Sequence, residues 1–281
     1  MKKTFILLAA MLLSFGSIAQ QSIDLSTLWQ RYAFYAGGIS GLRSMSDSEH
    51  YTAQGDGTLE KYNYLSGDKV ALLLDVNALV SEEASVPAFD SYDISKDEQW
   101  ALLETETDQI YRRSSKSVVW VVNLQSQQAT KIRPEKISNA TFSPDANYVA
   151  YVYDNNLYIY DISEDAHIRI TSDGSFNHII NGATDWVYEE EFAIVKAFWW
   201  SPNSDKLAYL KFDESNVRSF NMDIYGKELY PNPYTFKYPK AGEDNSVVTA
   251  HIWDMNSGKV INALSNVDYE YLPRAQWSNG D

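Results

Sequence analysis

The stretch FSPDANYVAY, residues 142–151, decides the fold. A turn phrase of Ser, one further residue and Asp or Asn leads there into a run of residues that favour β-strands. Similar phrases recur along the chain, as MSDSEHYTA (45–53), SKDEQWALL (95–103), SPNSDKLAYL (201–210) and, at the end, WSNGD (277–281). A turn followed by an apolar or alternating run is the pattern of two strands joined by a tight connection.

The spacing of this phrase indicates a repeat architecture. Counted from serine to serine, the intervals are 49, 48, 58 and 77 residues. Two further strand-like runs fit inside each interval, for example residues 156–162 and 167–171. Short strands that repeat every 40 to 50 residues are typical of β-propeller blades. A β-sandwich with fortuitous similarity is the alternative, but four recurrences of one phrase favour an all-β propeller.

Propellers close with about 4 to 8 blades, and a fifth repeat begins at Arg274 shortly before the sequence stops at Asp281. An apolar strand that starts without a partner would leave an open sheet edge. The sequence therefore predicts about four blades of a larger propeller, belonging to a longer protein.

Composition restricts the class of protein. The 281 residues are 44% hydrophobic and 14% aromatic, which is enough to bury a large core. The formal charge of −15 would repel phosphate backbones, so nucleic acid is not an expected partner. There is no Cys, which excludes disulfides, thiolate metal sites, a Cys nucleophile and lipid attachment through Cys. No spacing typical of metal ligands appears, and we expect no cofactor.

The first nineteen residues have the pattern of a secretory signal peptide. Lys2 and Lys3 precede an apolar run over residues 5–13, and Ala19 is a small residue suited to cleavage. The run is shorter than the roughly 20 residues that span a bilayer. We expect residues 1–19 to be removed and residues 20–281 to be secreted or periplasmic, without membrane attachment. A retained membrane anchor is the alternative.

Two insertions interrupt the repeat, one between Thr171 and Lys196 and the other between Phe212 and Val247. Insertions in a repeat scaffold commonly carry function. The second insertion is rich in Tyr and Pro, and its residues 218–238 are expected to form an extended arm.

The first insertion contains DWVYEEEF, residues 185–192. Three successive carboxylates repel one another, and the simplest interpretation is a solvated acidic turn at the start of a helix. The aromatic residues Trp186, Tyr188 and Phe192 instead indicate a partly buried setting, in which carboxylates require a cation such as a metal, an Arg or a substrate ammonium.

This motif, followed by WWSPN (199–203), FDESNV (212–217) and YPKAG (238–242), resembles the glutamate-motif region of the dipeptidyl peptidase IV family. The resemblance covers essentially all of residues 20–281 and is most specific from about 181 to 242. It implies the first part of an eight-bladed propeller that precedes an α/β-hydrolase domain. It also implies a serine exopeptidase that releases N-terminal dipeptides, with Pro or Ala as the second residue, from peptides with a free N-terminus.

The same resemblance assigns roles to individual residues. Glu190 and Glu191 would bind the ammonium group of the substrate, and Glu189 would be structural. Arg112 would hold the carbonyl oxygen of the first substrate residue, with Arg113 as the alternative. The simpler interpretation of Arg112 is a surface ion pair with Glu104 or Glu106. The resemblance further implies a homodimer that forms through the arm 218–238.

The catalytic serine of the family lies in a G-x-S-x-G elbow, which does not occur here; residues 38–42, GISGL, come nearest. We therefore expect no catalytic residue within this chain, and no hydrolysis by the chain alone. A stand-alone propeller that binds peptides or proteins without catalysis is the alternative function. A related acylaminoacyl peptidase or oligopeptidase is disfavoured, because such enzymes do not need the ammonium-binding acids.

Overall fold

The computed structural model describes residues 23–82, 85–265 and 267–278. The chain divides into two compact units, one ending at Ile39 and the other beginning at Ser40. In the first unit a short helix, α1 (Leu25–Trp29), begins where the Asp24 carboxylate accepts a hydrogen bond from the Thr27 amide. The predicted signal peptide, residues 1–19, lies outside the described residues. Within the described ranges, no helix is both long and apolar enough to cross a bilayer.

The second unit consists mainly of four antiparallel sheets, in each of which four strands follow one another in chain order. Sheet 1 comprises β1 (Arg43–Ser44), β2 (His50–Gln54), β3 (Thr58–Asn63) and β4 (Lys69–Asp75). A single 3₁₀ turn (Val76–Ala78) follows. Sheet 2 comprises β5 (Ser91–Ile94), β6 (Trp100–Gln109), β7 (Ser115–Asn123) and β8 (Ala129–Lys131). Sheet 3 comprises β9 (Ser138–Phe142), β10 (Tyr148–Tyr153), β11 (Asn156–Asp161) and β12 (Ala166–Arg169).

Sheet 4 contains both insertions. Its four strands are β14 (Phe198–Trp200), β15 (Lys206–Asp213), β18 (Val247–Asp254) and β19 (Val260–Asn262). The first insertion provides β13 (Ile179–Asn181), which pairs with the end of β15, and the helix α2 (Trp186–Phe192). The second insertion provides a two-stranded arm, β16 (Ser219–Ile224) and β17 (Asn232–Lys237).

Consecutive sheets pack face to face, because alternate residues of each strand point to opposite sides of a sheet. In β6, Ala101 and Leu103 enter a core shared with sheet 1, whereas Leu102 between them enters the core shared with sheet 3. A third core joins sheets 3 and 4 in the same way, around Ile159 and Leu207. This series of stacked antiparallel sheets confirms the prediction of an all-β fold. That the propeller has eight blades and continues beyond the sequence remains a prediction.

The recurring turn phrase is a hydrogen-bonded structure. The Ser143 hydroxyl donates to Asp145 at 2.5 Å and accepts from the Tyr148 amide at 3.0 Å, and Ser95 makes the equivalent bonds. In both turns the residue three positions after Ser has a left-handed backbone, with φ of 60° at Glu98 and at Ala146.

The first copy of this turn begins one residue earlier than the sequence pattern indicated. The Met45 amide donates to the His50 carbonyl, as the Ser143 amide does to the carbonyl of Tyr148, and Ser48 has the left-handed backbone. The interval counted from Ser46 was therefore wrong by one residue. Met45 occupies the serine position because the main-chain bond does not require a hydroxyl.

We expect Ser143→Ala to lower the free energy of unfolding by about 1 to 3 kcal/mol, because the Ser143 hydroxyl is buried and both the Tyr148 amide and the Asp145 carboxylate would lose their bond to it. Urea unfolding of the two proteins measures the difference. The matched control is Ser257→Ala, which removes an exposed serine that donates to Asp254 and accepts from the Lys259 amide. We expect the control to change stability by less than about 0.5 kcal/mol. Equal losses in both variants would contradict a special role for the buried turn.

Candidate functional site

Helix α2 is fixed at its first residue by a buried carboxylate. Asp185 precedes the helix, and its Oδ1 accepts from the Tyr188 amide at 2.9 Å. Its Oδ2 accepts from the Ser246 hydroxyl at 2.6 Å, which ties the helix to the chain just before β18. Burial raises the pKa of Asp185, although both hydrogen bonds oppose that rise. The helix therefore starts at a fixed point of sheet 4.

The three glutamates of α2 point in different directions. Successive residues of an α-helix are rotated by about 100°. Glu189 is buried, with 1% of its surface exposed, whereas Glu190 is half-buried and Glu191 is exposed. The helix thus separates three charges that lie side by side in the sequence, and each one meets a different environment.

Glu189 holds the loop between β6 and β7. One of its carboxylate oxygens, Oε1, accepts hydrogen bonds from the amides of Arg113 at 2.7 Å and Ser114 at 2.9 Å. Hydrogen bonds to an ionised acceptor are stronger than neutral ones, and this acceptor is shielded from water. The bonds join residues 75 and 76 positions apart in the sequence. The structural role expected for Glu189 agrees with this geometry.

Arg112 lies at the tip of the same loop and reaches Glu190. Its Nη2 lies 2.9 Å from Glu190 Oε1, with 70% of the Arg112 side chain and 23% of the Glu190 side chain exposed. The simpler interpretation, an ion pair of Arg112 with Glu104 or Glu106, is therefore wrong. Among the two neighbouring arginines it is Arg112 whose side chain meets the glutamate motif.

The arm supports both the loop and the helix. Tyr111, next to Arg112, packs against Phe236 of β17, with 5.9 Å between ring centroids. Trp186, at the start of α2, packs against Tyr238 at the base of the arm, with 4.4 Å between centroids. Burial, together with the neighbouring Tyr234 phenol, raises the pKa of Tyr111. The two segments that carry the charged groups thus share one aromatic support.

The structure brings together the residues that the sequence singled out. Glu190 and Arg112 form a pair, Glu191 follows on the exposed side of the helix, and Glu189 links the two segments. Sequence analysis missed Asp185 as the residue that fixes the helix. An acidic residue directly before a short aromatic and acidic helical run is a recognisable start signal and could have indicated it.

This arrangement has groups suited to binding a substrate. Two carboxylates that face solvent can accept hydrogen bonds from an ammonium group, and a guanidinium can donate to a carbonyl oxygen. In the described part of the chain, no cluster of three His, Asp or Glu side chains could hold a metal ion.

Comparison with known proteins gives a consistent result. Residues 95–281 match the family model described as the dipeptidyl peptidase IV (DPP IV) N-terminal region. The solved structure of dipeptidyl peptidase 4 from Porphyromonas gingivalis is 35% identical and superposes with a TM-score of 0.83, over 91% of this chain and 37% of that one.

Curated relatives match over only part of their length. The bovine protein named prolyl endopeptidase FAP is 34% identical over 213 residues, which is 75% of this chain and 27% of the relative. Dipeptidyl aminopeptidase B of Saccharomyces cerevisiae is 40% identical over 174 residues, which is 60% of this chain and 21% of the relative. The chain therefore spans about a quarter of the length of the curated relatives it matches.

We expect Glu189→Ala to release the loop, since the amides of Arg113 and Ser114 would lose their acceptor. Two charge-assisted bonds of about 1.5 to 3 kcal/mol each protect these amides, so their hydrogen exchange should accelerate at least tenfold. Exchange measured by mass spectrometry over a peptide spanning residues 110–116 tests this. Glu191→Ala, which truncates the exposed neighbour, should leave the exchange unchanged. Unchanged exchange in Glu189→Ala would show that the loop is held by other contacts.

Proposed function

The chain belongs to the family of dipeptidyl peptidase IV N-terminal regions, and on that premise we propose that it binds the free N-terminus of peptide substrates in a serine exopeptidase. The full-length protein releases N-terminal dipeptides whose second residue is Pro or Ala. In this proposal the described sheets gate access of the substrate, and Glu190, Glu191 and Arg112 form the binding site.

The observation that carries the proposal is the pairing of Arg112 with Glu190 at 2.9 Å above the buried Glu189. One partner lies on the β6–β7 loop of sheet 2, and the other lies on the helix inserted before the strands of sheet 4. Both partners are accessible, and their neighbours are fixed. A substrate ammonium can join the carboxylates while Arg112 turns to the first carbonyl group of the peptide.

Fixing the ammonium at one point determines how far a peptide can enter. Two charge-assisted bonds orient the chain as well as bind it, and orientation contributes to the rate of the chemical step. Only two residues then reach from the ammonium site to the scissile bond. We propose that the nucleophile belongs to an α/β-hydrolase domain outside these 281 residues, and that four further blades complete the propeller. A signal peptide over residues 1–19 and a secreted or periplasmic location belong to the same proposal.

We expect Glu190→Gln and Glu191→Gln, each in the full-length protein, to lower kcat/KM for a Gly-Pro chromogenic amide by about ten- to a hundredfold. Each substitution keeps the side-chain shape and removes one charge-assisted bond, worth roughly 1.5 to 3 kcal/mol. Because orientation is lost together with affinity, kcat should fall while KM rises. Steady-state kinetics of the purified variants measures both constants.

The matched control is Glu164→Gln, which changes an exposed glutamate in the turn between β11 and β12 and should leave the kinetics unchanged. Acetylation of the substrate N-terminus should abolish cleavage by the parent enzyme. Because one relative is named an endopeptidase, this substrate is informative: efficient cleavage of it would refute dipeptide release. Parental kinetics in both folded glutamine variants would refute the assignment of the site. If the full-length protein contains no hydrolase domain, the alternative of a binding module without catalysis would replace the proposal.

We further propose that the full-length protein is a homodimer held together through the arm 218–238. All six residues of β16 are exposed, and so are the large apolar residues Tyr225, Leu229 and Tyr230 at the turn, with exposures of 80%, 89% and 78%. The other side of the arm is occupied by its contacts with Tyr111 and Trp186. An apolar hairpin tip that faces solvent is a surface suited to a second copy.

We expect Leu229→Asp to weaken the dimer about tenfold or more, because a buried leucine side chain contributes roughly 1.5 to 3 kcal/mol. Sedimentation equilibrium of the full-length protein measures the dissociation constant. Leu65→Asp is the matched control, since Leu65 is 97% exposed in the turn between β3 and β4. A monomeric parent at micromolar concentration, or equal effects of the two substitutions, would refute the role of the arm.

A further inference from the structure

A cavity of about 670 Å³ lies between sheets 2, 3 and 4, and its lining does not include Glu190 or Glu191. The loop before β7, the turn between β10 and β11, the residues around β13 and the start of the arm contribute to its walls. Cavities of this size are typical of sites for small molecules. The aromatic side chains of Tyr111, Tyr153, Phe176 and Tyr234 form part of the lining.

Glu214 lines this cavity and has no hydrogen-bond partner for its carboxyl group among the described residues. The residue is 6% exposed, and its backbone groups are satisfied, because its amide donates to the His178 carbonyl and its carbonyl accepts from the Val217 amide. Most of the side chain is buried, and its carboxyl oxygens are open to the cavity rather than enclosed by protein. Such a group is therefore available to a ligand that donates hydrogen bonds.

The charges nearest to Glu214 leave its carboxyl group unneutralised. Burial, followed by the charges of Asp185 and Asp213, raises the pKa of Glu214 to about 7, and Lys237 opposes the rise. The ammonium group of Lys237 instead donates to the main-chain carbonyl of Val217 at 2.7 Å. Asp185 also lines the cavity, but both of its oxygens are occupied by Tyr188 and Ser246. Sheet 4 and its insertions thus contribute two carboxyl groups, Asp185 and Glu214. Of these two, Glu214 accepts no hydrogen bond from the described residues.

The opposite charge comes from the second sheet and the segment that follows it. Lys116, in β7, and Lys136, before β9, both line the cavity. Lys136 is paired with Asp108 at 2.9 Å, and Lys116 lies opposite Asp108 in the strand register with its side chain exposed. The lining therefore carries Glu214 and Asp185 from sheet 4, Asp154 from the turn between β10 and β11, and the two lysines on the side of sheet 2.

From this distribution of charge we propose that the cavity binds a small zwitterion of the size of a free dipeptide. Glu214 accepts hydrogen bonds from its ammonium group, and Lys116 and Lys136 attract its carboxylate. The rings of Tyr111 and Tyr234 surround the ammonium end, where aromatic faces favour a cation. The evidence for this site is the cavity and the position of Glu214, so the proposal does not depend on the function proposed for Glu190 and Glu191.

The probe is the dipeptide Gly-Pro, added to the full-length protein in which Glu190→Gln and Glu191→Gln remove the other ammonium site. Isothermal titration at pH 7.5 should show one site. Adding Glu214→Gln should weaken binding about tenfold or more, because one charge-assisted bond is lost. Adding Glu164→Gln instead, at an exposed glutamate outside the cavity, should leave the affinity unchanged. No binding in the starting variant, or equal binding with Glu214→Gln, would overturn the proposal.

Two derivatives of the probe test the two ends. N-acetyl-Gly-Pro lacks the ammonium group, and the amide of Gly-Pro lacks the carboxylate. Both should bind about tenfold or more weakly than Gly-Pro itself. If the amide binds as well as the dipeptide, the lysines have no role and the ligand is not a zwitterion. If the acetylated dipeptide binds as well, Glu214 is not its acceptor.

The pH dependence tests the site in protein that retains Glu214. The ionised carboxylate binds the ammonium group and predominates above about pH 7, so affinity should fall about tenfold or more between pH 7.5 and pH 5.5. Ionisable groups near Glu214 are Asp185 before α2, Asp213 of β15, Lys237 and Tyr234 of β17, Tyr111 of the β6–β7 loop, and His178 before β13. A pH dependence that persists in Glu214→Gln would come from another group and would overturn the proposal.

Discussion

The candidate site depends on one buried carboxylate that accepts two main-chain hydrogen bonds. Only 1% of the surface of Glu189 is exposed, so water cannot donate hydrogen bonds to its carboxylate. The amides of Arg113 and Ser114 donate them instead. Removing them would leave an uncompensated charge, and removing Glu189 would leave two unpaired amides. Because each side requires the other, the loop of the second sheet and the helix in the fourth are held at a fixed separation. Arg112 is adjacent to Arg113 and Glu190 is adjacent to Glu189, so the same hydrogen bonds keep these two charged residues close together.

Much of the fold was predictable because two sequence patterns determine it: the alternation of side chains along each strand and the recurring turn phrase. Alternation along β6, where Leu102 faces one neighbouring sheet and Ala101 and Leu103 the other, is visible in the sequence once the repeat is recognised. The turns were predictable where Ser and Asp side chains make the bonds, as at Ser143. The first turn was placed one residue too late, because at Met45 the main chain alone makes the bond and no side chain marks it.

The site was predictable only in its list of residues. The resemblance to the family pointed to Glu190 and Arg112, yet their contact joins two positions far apart in the sequence and depends on how the sheets pack and on the hydrogen bonds of Glu189. The different surroundings of the three glutamates follow from the helical rotation, which a run of identical letters does not show. Glu214 gave no signal at all, because its significance lies in the absence of a partner within a cavity formed by three sheets.

The stacking of the sheets also has a consequence for cooperativity. Three of the cores in the described part of the chain are each shared by two consecutive sheets, and the second and third sheets each contribute to two of them. A fourth core packs helix α2 against sheet 4. In an array of this kind, stability includes one nearest-neighbour term for each shared core, so the second and third sheets each enter two of these terms. No boundary for a shorter, independently folding piece can be drawn between two sheets without exposing half of a core. Deletion libraries and fusion junctions are therefore best confined to the arm and the turns, which lie outside these shared cores.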